Sequence, residues 1–169
     1  MKNSGYLLIH FNFQEEDMKR FIVLALVCAV GFSFASCKKN EFAGFKYNSF
    51  TPGEEPGSFL AVQVLDKNGK QACWFHMLDQ VGQDNSSYTN STDKVGKYPA
   101  SISPNNHVWI LVNNRFEIRL VADSDSEVFK NTEMLKKFLM AFDLAGLEAI
   151  QGEKVSPKVM AKYIPQLGQ

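Results

Sequence analysis

Two side chains that could hold a ligand, Trp74 and His76, stand two positions apart in the apolar segment 71–78. Successive side chains of a β-strand point to opposite faces, so residues i and i+2 share one face. The indole and the imidazole would therefore lie side by side, an arrangement that can grip a sugar or an aromatic ligand. Under the alternative interpretation, another element covers both rings and they only contribute to packing. Trp74 and His76 are the candidate ligand-binding residues.

The sequence does not indicate a catalytic site. Cys73 and His76 have the residue types of a thiol–imidazole nucleophile pair, but three positions apart on a strand they point to opposite faces. The chain also lacks the Gly-x-Ser-x-Gly, P-loop, dinucleotide-binding and His-Glu-x-x-His motifs. We therefore predict no catalytic residue and no cofactor, although an enzyme that uses dispersed carboxylates would need no local motif.

Three alternating acidic residues, Asp123, Asp125 and Glu127, offer oxygen ligands of the kind found in calcium loops. Calcium loops need further ligands and a central glycine. The alternative is that these acids stabilise the N-terminus of a following helix. His76 and His107 lack the paired spacing of a zinc site, and we predict no metal site.

The strand that carries Trp74 and His76 is predicted to belong to a β-hairpin. Residues 58–65 and 71–78 are apolar and flank Asn68-Gly69, which is a strong signal for a type I′ turn. A turn centred there pairs Val64 with Cys73, Val62 with Phe75 and Leu60 with Met77 on one face, and leaves Ala61, Gln63, Trp74 and His76 on the other.

A second hairpin is predicted around Asn113-Asn114, because Asn tolerates a left-handed φ. A two-residue turn at this point gives one apolar face and one face that we expect to be solvated. The apolar face contains the pairs Leu111–Phe116 and Trp109–Ile118, and the solvated face carries Arg115, Glu117 and Arg119.

The pattern becomes helical after the hairpins. Residues 124–127 resemble a capping box, residues 144–150 continue or restart the helix, and Ser156 is expected to cap a last short helix over 157–164. The order of hairpins followed by helices predicts an α+β fold, in which an antiparallel sheet built from β-hairpins has C-terminal helices packed on one face. The apolar stripe of the main helix consists of Val128, Leu135, Phe138, Leu139 and Phe142.

Two segments are expected to lie outside this framework. Residues 82–106 are polar and are interpreted as a surface loop with at most a short strand near 98–102. Residues 38–57 have the composition of a tether. Four aromatic side chains in the tether either dock on the domain or form a first edge strand, and the sequence leaves both readings open: Phe42, Phe45, Tyr47 and Phe50.

Lys19 and Arg20 precede an uncharged apolar run over residues 21–35. A transmembrane helix needs about 20 apolar residues, whereas a shorter run behind basic residues is typical of a signal peptide. The alternative is a buried core helix.

Two small residues, Ala35 at the end of this run and Ser36 after it, stand immediately before Cys37. The sequence Phe34-Ala35-Ser36-Cys37 resembles the lipobox of bacterial lipoproteins. The resemblance implies that Cys37 carries diacylglycerol on its thiol and that cleavage precedes it. The resemblance also implies that Lys38, rather than Asp, in the next position favours the outer over the inner membrane. Cleavage by the ordinary signal peptidase after Ala35, which would release a soluble protein, is the rival interpretation.

These signals divide the chain into four parts. Residues 1–17 are interpreted as a mis-called N-terminal extension, because Met18 begins a natural signal peptide over 18–36. Residues 37–57 form the lipidated tether, and residues 58–169 form a single α+β domain. With Cys28 removed and Cys37 lipidated, Cys73 has no partner for a disulfide.

Charge and composition narrow the range of functions. The chain has 18 basic and 18 acidic residues, which argues against a nucleic-acid-binding protein. We expect an envelope lipoprotein with a small non-catalytic domain that binds a ligand or a protein. Its expected partners are the membrane, through the lipid anchor, and an envelope protein or glycan. The alternatives are a small hydrolytic or carbohydrate-acting enzyme that uses dispersed carboxylates, and a periplasmic inhibitor or assembly accessory protein.

Overall fold

The computed structural model describes residues 41–167. All described residues belong to one compact unit of the chain. The predicted N-terminal extension, the predicted signal peptide and the predicted lipidation site, Cys37, lie outside the described residues. None of the helices between residues 41 and 167 has both the length and the apolar character needed to span a membrane.

Seven strands form one antiparallel sheet in the order β1-β2-β3-β7-β6-β5-β4. The chain builds one edge with β1 to β3, crosses to the far edge, and returns strand by strand until β7 pairs with β3. The sheet-dominated α+β architecture predicted from the sequence is confirmed. The strands are β1 (Lys46–Tyr47), β2 (Leu60–Leu65), β3 (Gln71–Asp79), β4 (Lys94–Val95), β5 (Tyr98–Ser103), β6 (His107–Val112) and β7 (Phe116–Ala122).

Short helices complete the fold. Helix α1 (Ser86–Thr89) lies in the crossover from β3 to β4, and α2 (Thr132–Leu139), α3 (Leu144–Glu148) and α4 (Pro157–Met160) follow the last strand. A 3₁₀ turn over Ala161–Tyr163 extends α4. Ser156 occupies the N-cap position of α4, but its side chain makes no capping hydrogen bond.

One face of the sheet, called here the covered face, forms the hydrophobic core with the C-terminal helices. Leu135, Phe138 and Leu139 of α2 are buried in the same cluster as the strand residues of this face. Phe42 and Phe45 are also buried there, and Lys46–Tyr47 forms the edge strand β1. The aromatic residues of the segment expected to be a tether therefore both dock on the domain and contribute a strand.

The hairpin of β2 and β3 places Val64 opposite Cys73, Val62 opposite Phe75 and Leu60 opposite Met77. The turn differs from the type I′ expectation. Of its two central residues, Asn68 and Gly69, Gly69 alone has the positive φ that a type I′ turn requires of both. Asp66 closes the loop by accepting hydrogen bonds on Oδ1 from the amides of Asn68 (2.8 Å) and Lys70 (2.9 Å). Leu65 then pairs with Gln71 instead of Ala72, and a bulge at Ala72 restores the register.

The predicted register of the second hairpin is wrong by one residue. Val112 pairs with Phe116, so the loop has three residues, 113–115, and Asn113 and Asn114 both have a positive φ. A shift of one residue exchanges the faces of a strand. Trp109 therefore lies opposite Arg119 and not Ile118, while Phe116 and Ile118 face the core. The expectation that Arg115 and Glu117 are solvated is also wrong, since both are buried.

Arg115 leaves the strand pattern because it forms a buried ion pair with Asp79. The guanidinium donates from Nε to Oδ1 (2.9 Å) and from Nη2 to Oδ2 (2.6 Å). It also donates to the carbonyl oxygens of Ile150 (3.2 Å) and Glu153 (2.7 Å). Asp79 Oδ2 accepts a further bond from the amide of Val155 (2.8 Å). The pair thus fastens the segment 150–155 to the end of the sheet.

Two further predictions need correction. The capping box at 124–127 does not start a helix: the Ser126 hydroxyl accepts a bond from the Phe129 amide (3.2 Å) and closes a turn. Helix α2 begins at Thr132, where the Asn131 side chain accepts from the amide of Met134 (3.2 Å). The short strand expected near 98–102 is present as β5, but the region 82–106 is more structured than the predicted surface loop, because it also contains α1 and β4.

Candidate functional site

The second face of the sheet, called here the open face, carries both tryptophans of the chain. Cross-strand pairing sets Ala61, His76, Arg119, Trp109 and Ser101 in one row. The neighbouring row contains Gln63, Trp74, Val121, His107 and Ser103. All these side chains are half-buried or exposed. The buried residues of the C-terminal helices belong to one core cluster with the strand residues of the covered face, and these two rows remain accessible in the described part of the chain.

Helix α1 covers the remaining end of the open face. Tyr88 is buried, and burial, followed by the negative charge of Glu117, raises its pKa. Gln80 donates a hydrogen bond to Glu117, which also pairs with Arg119 (3.0 Å). Glu117 is therefore engaged on both carboxylate oxygens, which explains how an acid is tolerated at a buried position.

Three rings form a contiguous surface at the β2–β3 end of the open face, called here the aromatic shelf and consisting of Phe59, Trp74 and His76. The Trp74 and His76 ring centroids are 4.4 Å apart, and those of Phe59 and His76 are 5.2 Å apart. Phe59 is 60 % exposed. The period-two spacing predicted that Trp74 and His76 share a face, and the structure brings them together and adds Phe59.

The imidazole in the centre of the shelf is held in its neutral form. Burial lowers the pKa of His76, and the Arg119 guanidinium opposite it lowers the pKa further, against the smaller opposing effect of Glu117. A neutral imidazole has one hydrogen-bond donor and one acceptor. His76 can therefore contribute both a ring surface and polar contacts without adding charge.

A row of hydrogen-bonded polar side chains borders the shelf, called here the amide ladder and consisting of Asn48, Gln63, Gln71 and Asp123. Asn48 Nδ2 donates to Gln63 Oε1 (2.8 Å), and Gln63 Nε2 donates to Gln71 Oε1 (2.9 Å). Gln71 Nε2 donates to Asp123 Oδ2 (2.8 Å). Each link uses one hydrogen of each amide, and the second hydrogen is available to a ligand.

The bulge at Ala72 brings Gln71 into the amide ladder. Without it, the alternation of β3 would place Gln71 on the same side as Cys73, in the core. Instead, Ala72 is buried and Gln71 is half-exposed beside Gln63. Bulges commonly redirect a side chain in this way. Gln71 was not among the predicted site residues, although the Asp66 and Gly69 pattern of a longer turn is a signal for such a bulge.

A shallow depression of about 370 Å³ lies where the shelf meets the ladder. Its volume is within the range of small-molecule sites, and its mixture of ring surface and amides suits a ligand that is apolar on its face and polar at its edge. The lining residues are Ala61, Val62, Gln63, Gln71, Trp74 and His76.

Arg119 and Trp109 continue the open face beyond His76. The guanidinium lies over the Trp109 ring at 4.0 Å from its centroid, a cation–π distance. Trp109 Nε1 and Arg119 Nε are buried by this stack and have no hydrogen-bond partner among the described residues. The stack on Trp109 therefore holds the Arg119 guanidinium beside the aromatic shelf and not over its rings.

A second depression, of about 320 Å³, has Asp79 and Asp84 among its lining residues. Burial alone would raise the pKa of Asp79, but the hydrogen bonds from Arg115 and from the amides of Val155 and Val81 hold it below the ordinary value. The Ser86 amide lowers the pKa of Asp84. A glycosidase general acid needs a raised pKa, and neither carboxylate has one.

The other residues singled out in the sequence do not assemble. Cys73 is fully buried on the covered face, away from the His76 face, and burial raises the pKa of its thiol. Asp123 accepts bonds from Gln71 and from the Asp125 amide (3.1 Å), and Glu127 pairs with Lys130. Within residues 41–167 no group of three or more His, Cys, Asp or Glu side chains is placed to hold a metal ion.

Comparison with known proteins found no matching family model, no matching curated protein and no matching solved structure. The residues of the open face are therefore the basis on which a function can be proposed.

Proposed function

We propose that this chain is a non-catalytic binding protein of the bacterial cell envelope, and that it binds its ligand on the open face of the sheet. The observation that carries the proposal is the aromatic shelf: three rings in contact on the face that the helical layer leaves accessible. In this proposal, the C-terminal helices serve as the second layer of the core and hold the two hairpins in a fixed register. The rigid sheet then presents the shelf at low cost in conformational entropy.

We further propose that Cys37 carries a lipid anchor and that cleavage before Cys37 removes the signal peptide. In this proposal the anchor inserts in the outer rather than the inner membrane. The support is the lipobox-like sequence 34–37 behind the short apolar run. Two or more acyl chains are needed for stable anchoring, because a single chain binds only marginally. The binding domain would then work at the membrane to which the anchor attaches it.

The enzyme alternative has less support than the binding protein. The carboxylates of the second depression lack the raised pKa of a general acid, as described above. An inhibitor or assembly accessory protein would need a surface for another protein, and the same open face would supply it. The two binding alternatives therefore differ in ligand and not in location.

Lipid attachment is tested by metabolic labelling with radioactive palmitate. The full chain should incorporate label and partition into the detergent phase, whereas Cys37→Ser should do neither, since it lacks the acceptor thiol. Cys73→Ser is the matched control, because this thiol is buried in the core, and it should label like the unmodified chain. Equal labelling of Cys37→Ser would refute the anchor.

Binding on the open face is tested by tryptophan fluorescence, since Trp74 and Trp109 both lie there. The Trp109→Phe variant of the full chain, in a detergent without a sugar headgroup, isolates the emission of Trp74. Polysaccharide, protein and lipid fractions of a bacterial envelope are titrated separately. We expect a saturable change in Trp74 emission with at least one fraction. If all three fractions leave the emission unchanged, the proposal is contradicted.

A further inference from the structure

We infer that the ligand of the open face is a neutral carbohydrate, bound with a sugar ring on the aromatic shelf and its hydroxyl groups on the amide ladder. This inference rests on the proposed function, because it names the ligand class of the same site. It is carried by the juxtaposition of the shelf and the ladder in one depression, which Trp74, His76, Gln63 and Gln71 line together.

The shelf matches the apolar face of a sugar ring. Aromatic rings present a negative face and a positive edge, so the C–H groups on the flat side of a sugar are attracted to an exposed ring face. Weak contacts of this kind are individually small, and a platform of several rings collects them. The spacing of 4.4 Å and 5.2 Å between the ring centroids makes the platform continuous.

The ladder matches the edge of the same ring. Sugar hydroxyls both donate and accept hydrogen bonds, and so do the amides of Asn48, Gln63 and Gln71. Their mutual bonds of 2.8–2.9 Å fix the orientation of each amide before a ligand arrives. This arrangement reduces the entropy that ordering these side chains would otherwise cost on binding.

The charge of the site favours a neutral ligand over an anionic one. The ladder ends on the Asp123 carboxylate, and the imidazole at the centre of the shelf is neutral because its pKa is lowered. The cation that lies opposite His76, Arg119, is paired with Glu117 and stacked on Trp109. An anionic group at the end of the ladder would be repelled by the Asp123 carboxylate, whereas a hydroxyl group can donate a hydrogen bond to it.

Isothermal titration calorimetry of the full chain, in a detergent without a sugar headgroup, tests the inference. The probes are neutral hexasaccharides: β-1,4- and α-1,4-linked glucose, β-1,4-linked N-acetylglucosamine and α-linked mannose. We expect saturable binding of at least one. Trp74→Ala should weaken it by about tenfold or more, which is the effect of removing an aromatic anchor from a binding surface.

The Gln63→Leu variant separates sugar recognition from non-specific hydrophobic binding, because it keeps the approximate size of the side chain and removes its hydrogen bonds. It should weaken the sugar by about tenfold while binding an apolar fluorescent probe at least as well as the unmodified chain. Met140→Ala is the control for folding and for the helical side. Gln63→Leu with undiminished sugar affinity would overturn the role of the ladder and with it the inference.

The two proposals fail differently. If no neutral hexasaccharide binds but the envelope protein or lipid fraction changes the Trp74 emission, the carbohydrate inference is wrong and the binding function stands. If neither the hexasaccharides nor any envelope fraction is bound, both are wrong.

Discussion

Among the ion pairs of the described residues, Arg115–Asp79 is the most deeply buried, with side-chain exposures of 8 % and 0 %. A buried ion pair contributes little net stability, because each charge loses its hydration. Removing one partner, however, leaves the other charge buried without compensation. Arg115 and Asp79 also hold segment 150–155 to the sheet, so we expect this site to be highly sensitive to substitution.

The Asp79→Asn substitution should lower the free energy of unfolding by about 3–5 kcal/mol. The measurement is urea unfolding followed by circular dichroism. Glu54→Gln is the matched control, since Glu54 forms an exposed ion pair with Lys158, and exposed pairs contribute little. Equal stability of the two variants would show that the buried pair does not hold the fold together.

His76 predicts a pH dependence of stability. Burial, and then Arg119, lower its pKa in the folded chain below the ordinary 6.5. As the pH falls below 6.5, the unfolded chain therefore takes up the proton first, and the free energy of unfolding decreases until the folded-state pKa is passed. His76→Gln should show a smaller loss of stability than the unmodified chain between about pH 7.5 and 5.5. An equal loss in both would mean that His76 does not carry this dependence.

Residue types alone predicted part of the site. The two-residue spacing of Trp74 and His76 was sufficient to place them on one face, because strand alternation depends only on the backbone. Phe59 was not singled out, although it lies in the predicted strand 58–65 with the same alternation as Ala61. Gln71 could not be found in this way, because it reaches the open face only through a bulge, whose position depends on the loop that Asp66 closes.

At the scale of elements, the two hairpins show what a turn signal can and cannot determine. In the β2–β3 hairpin, the bulge at Ala72 compensates for a longer turn, so the cross-strand pairs Val64–Cys73 and Val62–Phe75 form as expected. In the β6–β7 hairpin no bulge compensates, and the third loop residue, Arg115, shifts the register. The preference of Arg115 for Asp79 is a tertiary contact, which the local sequence does not encode.

The loop of the β6–β7 hairpin gives a prediction at this scale. Asn114 has φ 50°, a left-handed conformation that costs a side chain with a Cβ about 1–2 kcal/mol unless its polar group helps. Asn114→Gly should therefore leave the denaturation midpoint unchanged or raise it, whereas Asn114→Ala should lower it. Indistinguishable midpoints for the two variants, in guanidinium unfolding, would contradict the left-handed assignment.

For the C-terminal helices, the sequence predicted which residues are buried but not where the main helix begins. The apolar stripe correctly identified Leu135, Phe138 and Leu139 as buried residues, since helical periodicity is a local signal. The start of the helix was misplaced because residues 124–127 carry a capping pattern that closes a turn instead. A helix start depends on where the chain must bury its next apolar group, here Phe129, which is fully buried.

At the scale of the whole molecule, the sheet is asymmetric: within residues 41–167, one face is occupied by the core and the other is accessible over two rows. Among the described residues, two large apolar side chains are exposed, and one lies on each side of the sheet. Phe59 belongs to the open face, and Met140, 49 % exposed, follows α2 in the helical layer. Binding on the open face therefore predicts contrasting behaviour at these two positions.

Site-specific photo-cross-linking tests this central claim most directly. A photoreactive phenylalanine analogue is placed at position 59 or at position 140 of the full chain, in cells that make the protein, and the adducts are identified by mass spectrometry. The account predicts a defined adduct at position 59, of carbohydrate mass, and none at position 140. Adducts at position 140 alone, or the same adducts at both positions, would contradict the account.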